Sequence, residues 1–305
     1  MNIFLTLLAK LMPLYLFITL GFIAGRVLKV EKKSIASLLI YIIAPLIVFN
    51  GVVSTPLNST NLSLPILFFL CSSIICLFFY YIAKFIWKDT SRNLLAFVAG
   101  APNVGYFGIP VAIALFNKDQ VSLVVLSVLG IILFENSVGF FIAAQGNYLL
   151  KDSIKKLLRL PSFYAFFIGL FVNLSNIELG EIYRSNIGSV QGAYSFLGMM
   201  LIGLALSGIK KFKVDFKFIG ISLIAKFLVW PSIILAIVWL DSLTLQIYNE
   251  QVREVMILLS IVPIAANTVA YATELKIQPE KASVAVLLST LLALVIIPIA
   301  SLLFF

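Results

Sequence analysis

Long apolar runs separated by short polar ones set the plan of this chain. A bilayer core about 30 Å thick needs about 20 apolar helical residues. Runs on that scale recur from one end of the chain to the other. They predict ten membrane spans, near 3–25, 34–53, 63–87, 92–116, 121–147, 161–177, 189–209, 216–240, 252–274 and 282–304. The connections are short, and none reads as a soluble domain or a low-complexity linker. The first run, 3–24, is too long for a signal-peptide core and meets Arg26 and Lys29 without a small-residue cleavage site. It is expected to be the first span.

Two runs break their own pattern. Residues 101–110 read APNVGYFGIP, which places Pro102, Pro110, Gly105 and Gly108 where a helix should continue. Residues 263–267 read PIAAN, from Pro263 to Asn267. A proline inside a helix removes one backbone hydrogen bond and clashes with the carbonyl four residues earlier. In lipid, the freed groups must find partners in protein or line a water-filled cavity. Helix breaks at membrane depth therefore point to a binding site.

Composition agrees with a polytopic membrane protein. The chain has 305 residues, 62% hydrophobic and only 11% charged, and its mean hydropathy is +1.11. Soluble domains carry about 25% charged residues. The chain has no His, which excludes imidazole as metal ligand, general base or pH switch. Cys71 and Cys76 lie five residues apart in one apolar run and form no CxxC pair. They read as two small buried hydrophobes, with no metal site expected. The net charge of +9 does not point to nucleic acid, because the basic residues cluster at the ends of apolar runs.

That clustering sets an orientation. Arg26, Lys29, Lys32 and Lys33 follow the first span, and Lys84, Lys88 and Arg92 the third. Lys151, Lys155, Lys156 and Arg159 follow the fifth; Lys210, Lys211, Lys213 and Lys217 the seventh; Lys276 and Lys281 the ninth. The opposite side has only Lys10, Lys118, Arg184 and Arg253. The excess of 17 to 4 places the odd-numbered connections in the cytoplasm and both termini outside it.

An internal repeat is visible at an offset of 161 residues. Arg92 and Arg253, Pro102 and Pro263, and Ser122 and Ser283 share it, and VSLVVL at 121–126 overlays ASVAVL at 282–287. The ten spans then divide into halves, 1–150 and 151–305. Five spans are an odd number, so the second half enters the membrane inverted, as in many transporters. Each break lies about ten residues into its span, or about 15 Å by helical rise, near the midplane.

Two ionisable residues lie deep inside spans. Glu135, with Asn136 beside it, is about 14 residues into the fifth span, and Lys226 about ten into the eighth. An intramembrane charge is a functional candidate by default. Glu135 could exchange a proton, pair with a cation or form a static structural pair. Lys226 could attract an anion, pair with Glu135 or snorkel to the cytoplasm.

Around NVGYFGIP, from Asn103 to Pro110, the chain resembles the auxin efflux carrier family, which includes plant auxin exporters and bacterial malate or malonate permeases. The family pattern in this span is close to N-x-G-x-x-G-x-P. Pro263 and Asn267 in PIAANTVAYA, YIIAPLIVF around Pro45, and KFLVWP from Lys226 to Pro231 are also similar to the family. The resemblance covers the whole chain. It implies an all-α membrane protein of ten helices in two inverted five-helix repeats, with the broken fourth and ninth helices crossing. It also implies transport of organic anions. The crossover asparagines of the family carry over to Asn103 and Asn267. The long cytoplasmic loop of some plant members is absent, so auxin is no more favoured than other anions.

The expected function is a secondary transporter of a small organic anion, such as a carboxylate, working by alternating access. Candidate substrate contacts are Asn103, Gly105, Tyr106, Gly108, Asn267, Thr268 and Tyr271. The bland alternatives are asparagines that satisfy freed backbone groups, glycines that pack helices, and tyrosines that pack at interfaces. Candidate coupling residues are Glu135, Asn136 and Lys226. No cofactor is expected beyond a coupling proton or sodium ion. The expected partners are the anion and the lipid bilayer, with a second copy of the chain as a candidate homodimer partner and no nucleic acid. The expected location is a bacterial inner membrane. The nearest alternative is a sodium-coupled symporter of the bile-acid type. A channel is the next. An intramembrane enzyme lacks a catalytic set here, and no phosphate-binding GxxxxGK[ST] loop occurs.

Overall fold

The computed structural model describes residues 3–53, 59–149, 151–152, 155, 158–208 and 215–304. Lys156, Lys210, Lys211, Lys213 and the 150/151 repeat boundary lie outside the described residues. So do the side chains of Lys10, Pro110, Lys118, Ser122 and Arg184. The helices are α1 (Ile3–Arg26), α2 (Lys32–Val53), α3 (Ser59–Ile86), α4 (Ser91–Gly100), α5 (104–115) and α6 (118–144). They continue as α7 (Pro161–Leu174), α8 (Glu181–Ser207), α9 (Phe216–Leu243), α10 (Glu250–Ile261), α11 (Asn267–Leu275) and α12 (Pro279–Phe304). Among the described residues there is no strand, only one isolated antiparallel bridge between Pro102 and Ile264.

Six of these helices, α2, α3, α6, α8, α9 and α12, contain segments long and apolar enough to cross a membrane. The predicted runs 92–116 and 252–274 do not form single helices of that length. Each stops midway, at Gly100 and at Ile261, where proline and the residue before it disfavour further helix. Run 161–177 yields the 14-residue α7. Helix α8 begins eight residues before the predicted 189, after the extended Gly180.

Glycines set the closest approaches. At Gly203 of α8, a side chain would run into the backbone of Ile18 and Phe22 in α1. Small residues let membrane helices pack backbone to backbone in this way. Helix α4 is buried from Asn93 to Gly100, and α10 from Leu258 to Ile261. The two interrupted segments thus end in the protein interior. In contrast, α3 turns Ile66, Leu70, Ile74, Phe78 and Phe85 outward, and α7 turns out Phe167, Ile168 and Phe171. Such apolar outer faces suit lipid and not water. The chain is an integral membrane protein.

Charged pairs sit at helix ends. Lys281 Nζ donates to Asp215 Oδ2 and Ser91 Oγ, both at 2.8 Å, which ties together the starts of α4, α9 and α12. Partial burial opposes ionisation of Asp215. The Lys281 ammonium and the Phe218 backbone N–H outweigh it and hold the carboxyl below its usual range. Arg253 pairs with Asp241 at 3.1 Å, joining α9 and α10.

Candidate functional site

The two helix breaks meet. Asn103 N–H donates to the Pro263 carbonyl at 2.7 Å, and Ala265 N–H to the Ala101 carbonyl at 2.8 Å. Each interruption thereby supplies what the other lost. Pro102 and Pro263 have no N–H to satisfy. Ile264 N–H goes to Ser289 Oγ at 3.1 Å, and the Ala99 carbonyl accepts from Trp230 Nε1 at 2.8 Å. Asn103 Oδ1 accepts from Tyr106 N–H at 3.3 Å and caps the turn that restarts the helix. This is the backbone accounting that a break inside a bilayer requires.

The restart is a wider turn, with bonds from i to i+5, over Val104–Gly108. Similar π-helical turns occur at Leu39–Ile43, Glu135–Gly139 and Ala225–Val229. Turns of this kind are frequent at functional sites. Three of the four carry residues singled out from the sequence: Tyr106, Glu135 and Lys226.

Beside the paired breaks lies a cavity of about 340 Å³. Its polar wall includes Asn103, Tyr106, Glu135, Gln191, Tyr194 and Asn267, and its apolar wall includes Ile47, Val125 and Leu129. Asn267 is the centre of a network. Its Oδ1 accepts from Tyr106 Oη at 3.2 Å and Tyr194 Oη at 3.0 Å. Its Nδ2 donates to Glu135 Oε2 at 2.7 Å. The two phenol rings pack with centroids 4.7 Å apart. Asn103 Nδ2 is buried and has no hydrogen-bond partner. Among the described residues, no Lys or Arg lines the cavity.

The sequence candidates divide by face. Pro102, Asn103, Gly105, Tyr106, Glu135 and Asn267 line the cavity. Gly108 packs against Val262 and Leu259 instead. Thr268 Oγ1 donates to the Ala265 carbonyl at 2.7 Å, within its own break. Tyr271 donates to Asn136 Oδ1 at 2.5 Å, its ring packed between Phe97 and Phe140. Asn136 Nδ2 returns to the Ile132 carbonyl at 2.8 Å. Pro263 belongs to the break but not to the described lining. Lys226 is fully buried away from the cavity. Its ammonium stands 4.7 Å from the centroid of the Trp230 ring and has no hydrogen-bond partner. No ion pair joins it to Glu135.

The sequence reading did not single out Gln191, Tyr194 and Ser195 of α8, which also line the cavity. Their i, i+3, i+4 spacing puts them on one face of a helix. That polar stripe in an apolar run was the available signal.

This geometry suits a binding chamber: amide and phenol groups around a cavity, walled by backbone that is not continuous helix. Comparison with known proteins gives the family. The profile of a family described as "Membrane transport protein" matches residues 6–153 and 145–301. The chain is also similar to an uncharacterized transporter of Methanocaldococcus jannaschii, 24% identical over 194 residues. That match covers 61% of this chain and 63% of the archaeal protein, somewhat less than two thirds of its length. With its profile matched across nearly the whole chain, the protein belongs to the membrane transport protein family that includes the auxin efflux carriers.

Proposed function

We propose that this protein is a secondary transporter of a small organic anion, such as a carboxylate, working by alternating access. The observation that carries the proposal is the meeting of the two helix breaks at the wall of a polar cavity. In this reading the chain holds ten spans in two inverted five-helix repeats, and α4–α5 and α10–α11 are the repeat-related broken helices that cross at the midplane. The antiparallel backbone pairing of 101–103 with 263–265 supports it. So does the pairing of ends: Ser91, Asp215 and Lys281 come together, as expected if all three are cytoplasmic. Arg253 and Asp241 pair at the opposite ends of their helices. Asn103 and Asn267 would supply amide donors to the substrate carboxylate.

The test is uptake by the purified full chain in liposomes, with a panel of labelled mono- and dicarboxylates and imposed proton or sodium gradients. Saturable uptake of at least one carboxylate is expected. Absence of both transport and binding for every carboxylate would remove the substrate class. Flux that does not saturate would favour a channel instead.

A further inference from the structure

An anion site with no cation in its wall poses a charge problem. Among the described residues, the ionisable carboxyl lining the cavity is Glu135, 2% exposed, and no basic side chain faces it there. We propose that Glu135 is a built-in competitor for the substrate carboxylate, and that each substrate anion enters with one proton taken up by Glu135. This rests on the organic-anion reading above.

The donor set leads to the same place. The orientation of Asn103 is set by its Oδ1, which accepts from Tyr106 N–H, so its free Nδ2 is the end left open. The orientation of Asn267 is set by the two phenols donating to its Oδ1, so its Nδ2 points at Glu135. One amide is thus available, and the other is held by the protein's own carboxylate. A charged acceptor holds a donor more strongly than a neutral one. While Glu135 is ionised, it keeps the Asn267 amide and repels a second carboxylate in a water-poor space where charge interactions are strong. Protonation removes both obstacles at once. The proton comes from solvent and binds a Glu135 carboxyl oxygen. The substrate forms no covalent bond, and with a monocarboxylate the cavity carries one negative charge before and after; a dicarboxylate adds one more.

The other titratable groups facing this site are the phenols of Tyr106 and Tyr194, with Tyr271 one layer behind on Asn136. Of the elements packed against the Glu135–Gly139 turn, α3 contributes the buried thiols of Cys71 and Cys76, with Lys84 exposed at its far end. Helix α7 contributes only the exposed Tyr164, and α4 has Arg92 at its opposite end. None of these supplies a cation to balance two carboxylates.

The experiment is calorimetry on the full chain in lipid nanodiscs with lactate, benzoate, malonate and malate. Each titration is repeated in buffers of different ionisation enthalpy, which counts protons taken up per ligand. The wild-type protein should take up about one proton per ligand bound, and at every pH where it does so its affinity should weaken about tenfold per pH unit. Glu135→Gln, a permanently uncharged mimic, should bind the same ligand with no proton uptake and no pH slope. Binding by the wild type with no proton uptake between about pH 5 and 9 overturns the proposal and leaves the anion reading intact. An unchanged slope in Glu135→Gln also overturns it. If none of the four ligands binds either protein, the anion reading fails and this inference falls with it. Should the variant not fold, the wild-type proton count alone decides.

Discussion

Glu135 and Lys226 are buried to the same degree and surrounded in opposite ways. Each sits in a π-helical turn inside a long apolar helix, with 2% and 0% of its surface exposed. Glu135 has an amide donor at 2.7 Å and forms part of a cavity wall. Lys226 has no hydrogen-bond partner and lies over the Trp230 ring, which is stacked on Phe68 and bonded to the Ala99 carbonyl. Depth in the membrane gives both residues the same claim to function. Their neighbours separate them. A carboxylate bonded to an amide in a cavity wall is within reach of an arriving ligand. An ammonium packed on an indole, with no hydrogen-bond acceptor and no place in the cavity wall, has no such contact with a ligand.

The sharpest way to break this contrast is to remove the hub on the Glu135 side. Asn267→Leu leaves Glu135 without its amide donor and the phenols of Tyr106 and Tyr194 without their acceptor. A buried polar group stripped of its partner costs about 1–3 kcal/mol, more when charged. Carboxylate uptake in liposomes should fall by about 100-fold or more, close to background, with a lower melting temperature. Uptake within about threefold of wild type would remove the network from the site.

A gentler change reaches the same network from outside the cavity. A methyl group on Gly198 of α8 would stand 2.9 Å from Cε2 of the Tyr106 ring. The ring must shift, and overpacking of this kind costs about 1–3 kcal/mol. Gly198→Ala should therefore weaken carboxylate binding by about tenfold in the calorimeter while the chain stays folded. Unchanged affinity would mean that the position of Tyr106 does not matter.

Lys226→Met tests the other half of the comparison. Burying an ammonium without hydrogen bonds is costly, and exchange of buried charges for apolar side chains of similar volume is often neutral or stabilising. The cation–π contact with Trp230 offsets part of that cost. The expected outcome is retained transport and a melting temperature equal to wild type or a few degrees higher, for a gain of about 1 kcal/mol. Loss of transport in a folded Lys226→Met protein would erase the distinction drawn between the two charges.

The sequence carries much of this, unevenly. Apolar run length marks where helices lie, and proline marks where α4 and α10 stop, because both signals are local. Asn103, Tyr106, Glu135 and Asn267 are legible as polar exceptions in apolar surroundings. Their partners are not, since the pairing of 101–103 with 263–265 joins residues some 160 positions apart. Face is the other loss. Successive helical residues point about 100° apart, so Asn267 meets the cavity while Thr268 turns back to the Ala265 carbonyl. Glu135 and Asn136 part company for the same reason. Tyr194 is hidden to hydropathy, which averages over its helix, and shows only in the face it shares with Gln191 and Ser195.

The smallest expected effect asks whether the cavity's size and its charge act separately. An added methyl on Gly105 would meet nothing within 4 Å, and this residue lines the chamber with ordinary negative φ. Gly105→Ala should therefore not destabilise the fold; where the backbone is compatible, such a change adds about 0.4–1 kcal/mol by restricting the unfolded chain. The methyl takes room from the ligand and leaves the Glu135–Asn267 bond alone. Affinity for a bulky carboxylate such as benzoate should drop by about threefold to fivefold, while that for lactate stays within error. The pH slope of both should match wild type, because the proton-binding group is untouched. A uniform loss across ligands would place Gly105 at the carboxylate end of the chamber, beside the group that Glu135 contests. A size-dependent loss with an intact slope would place it at the end where substrates differ.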